Sequence, residues 1–245
     1  MIEISINNLL FHPDEREGSD TLTADLTGMR LIGIVAEPEE PAVTLLRILA
    51  GLQQPLQGQV CYNGKDIYQA SEEERSKLIR LNSYVFDTGG LISNLSVIEN
   101  LSLPYDFVKR NQSEDDKLAG MLTLVKMFNL DDDVLQRRPS MLTKSVVKLV
   151  NYIRAFLIDP DVTFIELPFT KMNKANEQTL EELILKRAFE LKKTHIFATQ
   201  RNSKLVSKAD AIIAIKKGEA SFFKNSDGEN IRFDYDVFFE RVETR

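Results

Sequence analysis

"GIVAEPEEPAVTLLRILAGL", residues 33–52, has the outline of a phosphate-cradling loop without its chemistry. An apolar strand, Met29 to Val35, runs into a short loop and then a leucine-rich helix ended by Gly51, which is how such a loop is framed. Holding a polyphosphate there takes glycine-rich backbone with inward N–H groups, a lysine, and a hydroxyl for magnesium at the helix start. "AEPEEPAVT", Ala36 to Thr44, supplies almost none of these. Pro38 and Pro41 have no N–H, Ala42 stands in the lysine's place, Val43 replaces the magnesium hydroxyl, and only Thr44 keeps its type. Glu37, Glu39 and Glu40 put negative charge where the phosphates must lie. At ~4 Å and an effective dielectric near 20, each like-charge pair costs roughly 4 kcal/mol before screening. The same glutamates, followed by Pro41, also suit an ordinary acidic helix start.

The surrounding chain has 245 residues, 43% of them hydrophobic, enough for one large domain or a core with a subdomain. A net charge of -6 gives no general attraction to nucleic acid or anionic lipid, so no nucleic-acid partner is expected. Cys61 is the only cysteine. It allows no intrachain disulfide, makes with His12 and His195 a poor set for structural zinc, and fits a reducing cytosol. The alternating start, Glu3-Ile4-Ser5-Ile6, does not read as a targeting signal, and no apolar run approaches the roughly 18 residues that span a bilayer. Any membrane link is expected to run through a partner.

Periodicity sets the order of elements. Ile2 to Leu10 reads as an edge-type strand, Pro13 to Gly18 as a polar turn, and Thr21 to Val35 as two strands. A helix is expected over Ala42–Ala50, a strand over Gln59–Tyr62 before the turn Asn63-Gly64, and a capped helix after Ser71, whose Glu74 completes a capping box. Helical spacing then marks Ser113–Phe128 and Lys144–Leu157, a candidate helical subdomain within Ser96 to Pro160. Val162–Leu167, Thr194–Thr199 and Ala211–Ile215 are short, nearly all-apolar strands, and a helix over Asn176–Lys192 lies between the first two. Such a run predicts a buried parallel sheet with helical crossovers.

In order and spacing, the chain from about residue 2 to 218 resembles the ATP-binding subunits of ABC transporters. "TLLRILAGLQQPLQGQVCYNGKDI" (44–67) is similar to the segment after that family's Walker A loop, and "YVFDTGGLISNLSVIENLSLP" (84–104) to its Q-loop and the start of its helical subdomain. "LTKSVVKLVNYIRAFLIDPDVTFIELPFTKMN" (142–173) resembles the signature helix, Walker B strand and D-loop. "THIFATQ" (194–200) resembles the switch strand, and "KADAIIAIKKGE" (208–219) the strand and hairpin after it. The resemblance implies an α/β P-loop NTPase fold: a three-layer RecA-like core with an antiparallel β subdomain (about 1–95 and 160–219), an inserted helical subdomain (96–159) and a C-terminal extension (220–245).

Each slot that the resemblance makes catalytic departs from the family pattern. Asp87 stands where the Q-loop glutamine would be and is a candidate metal ligand, as is Glu166 at the Walker B acid. Leu142 is followed by Thr143, Lys144, Ser145 and Val146 in place of the signature Ser-Gly-Gly-Gln that caps a γ-phosphate across a dimer. Leu167 replaces the glutamate that polarises water, Gln200 the switch histidine, and Asn173 the usual D-loop aspartate. His195 reads as a core or edge histidine rather than a displaced catalytic one. Losing lysine, hydroxyl, base and histidine together removes several kcal/mol each of transition-state stabilisation, non-additively.

The resemblance therefore implies a pseudo-ATPase with no cofactor expected, peripheral on the cytoplasmic face of a membrane. Its partners would be an integral membrane permease, and an ABC ATPase subunit in a homo- or heterodimer. Phe169 and "DTGGLISNLSVIENLSLPYDF" (87–107), with a helix ending in Leu-Pro, resemble the MCE-type (Mla-like) lipid transporter ATPases; generic packing is the other reading of Phe169 and Leu91. The permease groove would be lined by residues near Asp87–Leu101, with Tyr105 and Phe107, and Lys144 would contact phosphate on the partner's loop. Mg-ATP belongs only to the alternative of an atypical ATPase using Glu166 or Asp87; a freestanding regulator is the third reading.

Overall fold

The computed structural model describes residues 2–11, 21–108, 113–200, 202–224 and 233–240. The turn expected over Pro13–Gly18 and parts of the C-terminal extension, 225–232 and 241–245, lie outside them.

Ten strands make two sheets among the described residues. In the first, β2 (Leu22–Asp25), β1 (Ile4–Leu10), β4 (Gln57–Tyr62) and β5 (Lys65–Asp66) lie antiparallel in the order β2-β1-β4-β5. The second has the order β10-β9-β3-β8-β7-β6, from β3 (Leu31–Ala36), β6 (Asn82–Val85), β7 (Val162–Glu166), β8 (Thr194–Thr199), β9 (Ala211–Lys216) and β10 (Glu219–Lys224). It is parallel except for β10. The edge reading of β1 is corrected: it pairs with both β2 and β4. Its polar residues, which suggested an edge, are accommodated at an irregularity between Asn7 and Leu10, where Asn8 takes φ 48° and its N–H reaches Thr23 Oγ1 at 3.0 Å.

Alternation along the buried strands divides the core into two faces. Leu31 and Val35 join one apolar cluster with Phe197 and Ile165; Ile32, Ile34 and Ala36 join the other with Ile196 and Phe164. Against the second face packs α1 (Glu40–Leu49), with the antiparallel sheet beyond it. Two tyrosines of that region hold the helix end. Tyr62 Oη donates to Leu49 O at 2.8 Å and Tyr68 Oη to Ile48 O at 2.6 Å, satisfying carbonyls a helix end leaves open. Tyr62→Phe should therefore lower stability by about 1 kcal/mol in urea unfolding.

Against the first face lie α6 (Lys174–Phe189) and an inserted run of helices between β6 and β7: α3 (Val97–Val108), α4 (Glu114–Met127), two 3-10 turns, and α5 (Lys144–Leu157). Met121, Val125 and Phe128 face inward as their spacing predicts, whereas Leu118 is exposed. Pro104 does not end α3, as the Leu-Pro reading had it; the helix continues to Val108, with Leu101 and Tyr105 buried on one face. The short helix α2 (Glu72–Ile79) has no buried residue and packs Leu78 and Ile79 against the second cluster, α7 (Lys204–Lys208) buries Leu205 and Val206, and α8 (Tyr235–Glu240) lies beyond β10. The capping box of α2 forms as read, between Ser71 and Glu74.

Candidate functional site

In a parallel α/β sheet the carboxyl ends of the strands, with the loops that leave them, are where a ligand site is built. Here four of these loops carry the residues singled out in the sequence.

The loop leaving β3 holds no cradle. Helix α1 begins at Glu40, Glu39 is its N-cap without a side-chain cap bond, and Pro41 lies in its first turn. The Val43 N–H is already spent on Glu39 O at 3.0 Å. Glu37 and Glu40 are exposed, Glu39 is half-buried, and Ala42 is buried against the sheet. Thr44 is half-buried one turn into the helix.

One turn further, Arg47 turns back to the end of β7. Its Nε donates to Glu166 Oε1 at 2.7 Å, and Tyr84 Oη donates to the same oxygen at 2.7 Å. The Asp87 N–H takes the other oxygen, Oε2, at 3.0 Å. Glu166 is 3% exposed. Its hydrogen bond to this carboxylate raises the Arg47 guanidinium pKa above its ordinary value, and burial together with Glu166 pushes the Tyr84 phenol well up. A metal ion would need these carboxylate lone pairs, and here both oxygens accept protein donors, one of them a cation.

Asp87, in the loop after β6, is treated similarly. Lys148 of α5 lies 3.3 Å from Oδ1, Thr170 Oγ1 donates to Oδ1, and Lys171 Nζ donates to Oδ2. Burial alone would raise the Asp87 pKa, but the bonds from Lys171 and Thr170 and the Lys148 charge hold it below the usual carboxylate range. Burial lowers the Lys148 ammonium to about 8 against the opposing pull of Asp87. Two carboxylates thus face three cations, Arg47, Lys148 and Lys171. A divalent ion entering would meet like charge at close range. The donor set does not fit magnesium, and no group of three or more His, Cys, Asp or Glu suited to a metal occurs among the described residues.

Leu167 follows Glu166 at φ 43°, the left-handed region that bulky residues avoid, and its carbonyl accepts from Thr170 N at 3.2 Å and Thr170 Oγ1 at 3.0 Å. The position is shaped as a turn and has no side chain that accepts a proton. Thr143 caps α5 through Val146 N at 3.3 Å, Lys144 is exposed, Ser145 and Val146 are half-buried, and Leu142 packs on the core. Asn173 caps α6. Gln200 is exposed just past β8, its main-chain carbonyl accepting from Tyr235 Oη of the C-terminal segment. His195 is a core residue, 0% exposed in β8.

The structure so joins Glu166 to Asp87 directly and to α1 through Arg47. Sequence reading missed Arg47, Tyr84, Lys148, Thr170 and Lys171. One signal was present: Lys148 is a lone charge inside the apolar run "VVKLVNYI", 146–153.

Comparison with known proteins agrees with this frame. The family model described as ABC transporter matches residues 43–169, just over half of the chain, and the chain belongs to that family. It is 28% identical over 184 residues to the carnitine transport ATP-binding protein OpuCA of Listeria monocytogenes, covering 75% of this chain and 45% of that one. The chain thus spans about half the length of the first curated relatives it matches. It is 23% identical over 208 residues to the intermembrane phospholipid transport system ATP-binding protein MlaF of Haemophilus influenzae, covering 84% and 78%. Among solved structures, a dimeric post-hydrolysis state of an ATP-binding cassette bound to ADP and Pi shares its fold at a TM-score of 0.78, with 21% identity over 90% of this chain and 98% of that one.

Proposed function

We propose that this chain is a cassette subunit of an ABC transporter that does not turn over ATP itself, docks on an integral membrane permease from the cytoplasmic side, and pairs with an ABC ATPase subunit. The observation that carries this reading is the Arg47–Glu166 pair, a guanidinium bound to the one acid retained for magnesium. The acidic, proline-bearing loop of Ala36–Thr44 supports it independently. No described helix is long and apolar enough to cross a membrane.

A cleft of about 470 Å³ between α2 and α3 offers the docking surface. Glu72, Arg75, Ile79, Arg80, Phe107 and Val108 are among the residues that line it; Arg75 is already bound to Gly51 O, and Arg80 is exposed. Phe107, named in the sequence reading, is 54% exposed there, whereas Leu101 and Tyr105 are buried in the chain's own core and do not line the groove as that reading had it. An amphipathic helix with an acidic residue matches this chemistry. Lipid is the favoured cargo class, since the phospholipid-system relative is matched over most of its own length and the carnitine relative over less than half.

Purification of the tagged chain from solubilised membranes tests the reading. An integral membrane protein should co-purify, and Phe107→Asp should reduce its recovery at least about tenfold while leaving the chain folded, because a charge cannot be buried unpaired. Capture of no integral protein would reject docking. Steady phosphate release by the chain alone, abolished by Glu166→Ala, would reject the inactive assignment.

A further inference from the structure

The loop between β6 and α3, residues 86–96, is one of the two places where the inserted helices join the sheet; the other is the turn from α5 into β7. Segments of this kind are where layers usually pivot. In this chain the main-chain carbonyls of Phe86, Asp87, Gly89, Gly90 and Ile92 in the first are all held by side chains. Lys148 Nζ donates to Phe86 O at 3.3 Å and to Glu166 O at 2.8 Å, besides facing Asp87. One turn along the same face of α5, Asn151 Nδ2 donates to Gly89 O at 2.9 Å, and a turn further Arg154 donates to Gly90 O. Lys171 Nζ, from the turn after β7, adds a bond to Asp87 O at 2.9 Å. Past the glycines, Asn100 of α3 closes the segment with its side chain: Ile92 N donates to Oδ1 at 2.7 Å, and Nδ2 donates to Ile92 O at 3.1 Å.

Three features make this more than an ordinary loop. Lys148 and Asn151 are each 1% exposed and Asn100 0%, so three of the anchoring side chains are buried, and the Lys148 bond to Glu166 O is made where water does not compete. Gly89 and Gly90 take φ 74° and 85°, turning their carbonyls toward α5 in a conformation side chains rarely adopt. The apolar cluster beneath is also continuous, running from Leu31 and Phe197 of the sheet through Val97, Leu101 and Met121 of the inserted helices.

We propose that residues 86–92 form a locked joint: Lys148, Asn151 and Arg154 of α5, with Lys171 and Asn100, hold the inserted helices at one angle to the sheet. The cleft between α2, on the sheet side, and α3, on the inserted side, is therefore presented preformed, and its width is independent of any ligand at the loop after β3. Lys148 in this network is 1% exposed, and in some proteins buried charges of this kind specify one arrangement more than they add stability. The lock is a property of this chain alone and holds whether or not a permease is its partner.

The test is a distance distribution in the full chain. Spin labels at Gln53→Cys beside α1 and Leu118→Cys on α4, both exposed positions, report the angle between the layers. A single narrow distance is expected, unchanged by millimolar Mg-ATP, and it should broaden at least about twofold in Lys148→Met. The Asp87 and Ile92 amides should then exchange at least tenfold faster while those of β3 and β8 do not. Asp87→Asn, which keeps the shape and removes the charge facing both lysines, gives the same readout if Lys148→Met does not fold. A broad or two-peaked distance in the unaltered chain, a distance that shifts with Mg-ATP, or an unbroadened distance in both variants would overturn the lock, as would exchange rising by one common factor throughout.

Discussion

Between pH 7 and pH 5 the protein is expected to lose about 2 kcal/mol of unfolding free energy through one residue, His195. Its ring is wholly buried in β8, edge-on to Phe156 with centroids 6.1 Å apart, and neither ring nitrogen has a hydrogen-bond partner among the described residues. Burial, with the nearby Arg187 charge, lowers its pKa from 6.5 to about 3. The unfolded chain therefore takes up a proton that the folded chain refuses. Stability from this source is complete above pH 6.5 and falls by about 1.4 kcal/mol per unit below it, until the folded group titrates near 3. Asp87 and Asp159, whose pKa values are lowered in the fold, add acid sensitivity only nearer their unfolded value of 3.8. The window from 7 to 5 is thus diagnostic. Urea unfolding across it should show the slope in the native chain and little slope in His195→Leu. An equal slope in both would place the sensitivity elsewhere.

Arg47→Ala should cost about 2–3 kcal/mol, although the arginine is a partly exposed side chain on a helix surface. Removing it leaves Glu166, 3% exposed, with a full negative charge and only Tyr84 and the Asp87 N–H to bond it. Breaking a buried pair from one side commonly costs 3–5 kcal/mol, and the 42% exposure of the Arg47 side chain reduces that through solvent screening. The double variant Arg47→Ala with Glu166→Leu should recover at least half of the loss, because the stranded charge is gone. If Arg47→Ala proved neutral, the guanidinium would not be the counter-ion of that acid.

How far the sequence foretells this depends on which physical signal each feature leaves. The buried strands of the second sheet were legible because both of their faces are covered, so Val162–Glu166 and Thr194–Thr199 read as nearly all-apolar runs. Strand β1 was misplaced at an edge although Asn7 pairs with Gln59 of β4 and the Asn8 N–H reaches Thr23 of β2, contacts that only long-range pairing supplies. Elements α3 and β10 left weak traces: one contains a proline and the other, EASFFK, has two consecutive phenylalanines and no clear alternation. That Ala36–Thr44 has no glycine and no lysine is read directly from the sequence. The Arg47–Glu166 pair is not, since the two are separated by 119 positions and only the fold brings them to 2.7 Å. Chemistry assembled from separate loops leaves no spacing to read.

The C-terminal segment shows the same limit. Its phenylalanines suggested an ordered role, and the described part packs as an aromatic group of Phe223, Phe233, Tyr235, Phe238 and Phe239 against the core. Lys216 holds it by bonding the main-chain oxygens of Phe238 and Phe239. Tyr235, at the start of α8, reaches the carbonyl of Gln200 just past β8.

Isothermal titration of the purified chain with Mg-ATP tests the account at its centre. With glutamates where phosphates would lie and an arginine on the acid that would hold magnesium, no saturable heat should appear up to millimolar nucleotide. Micromolar binding that disappears when Thr44 or Glu166 is replaced by alanine would contradict it.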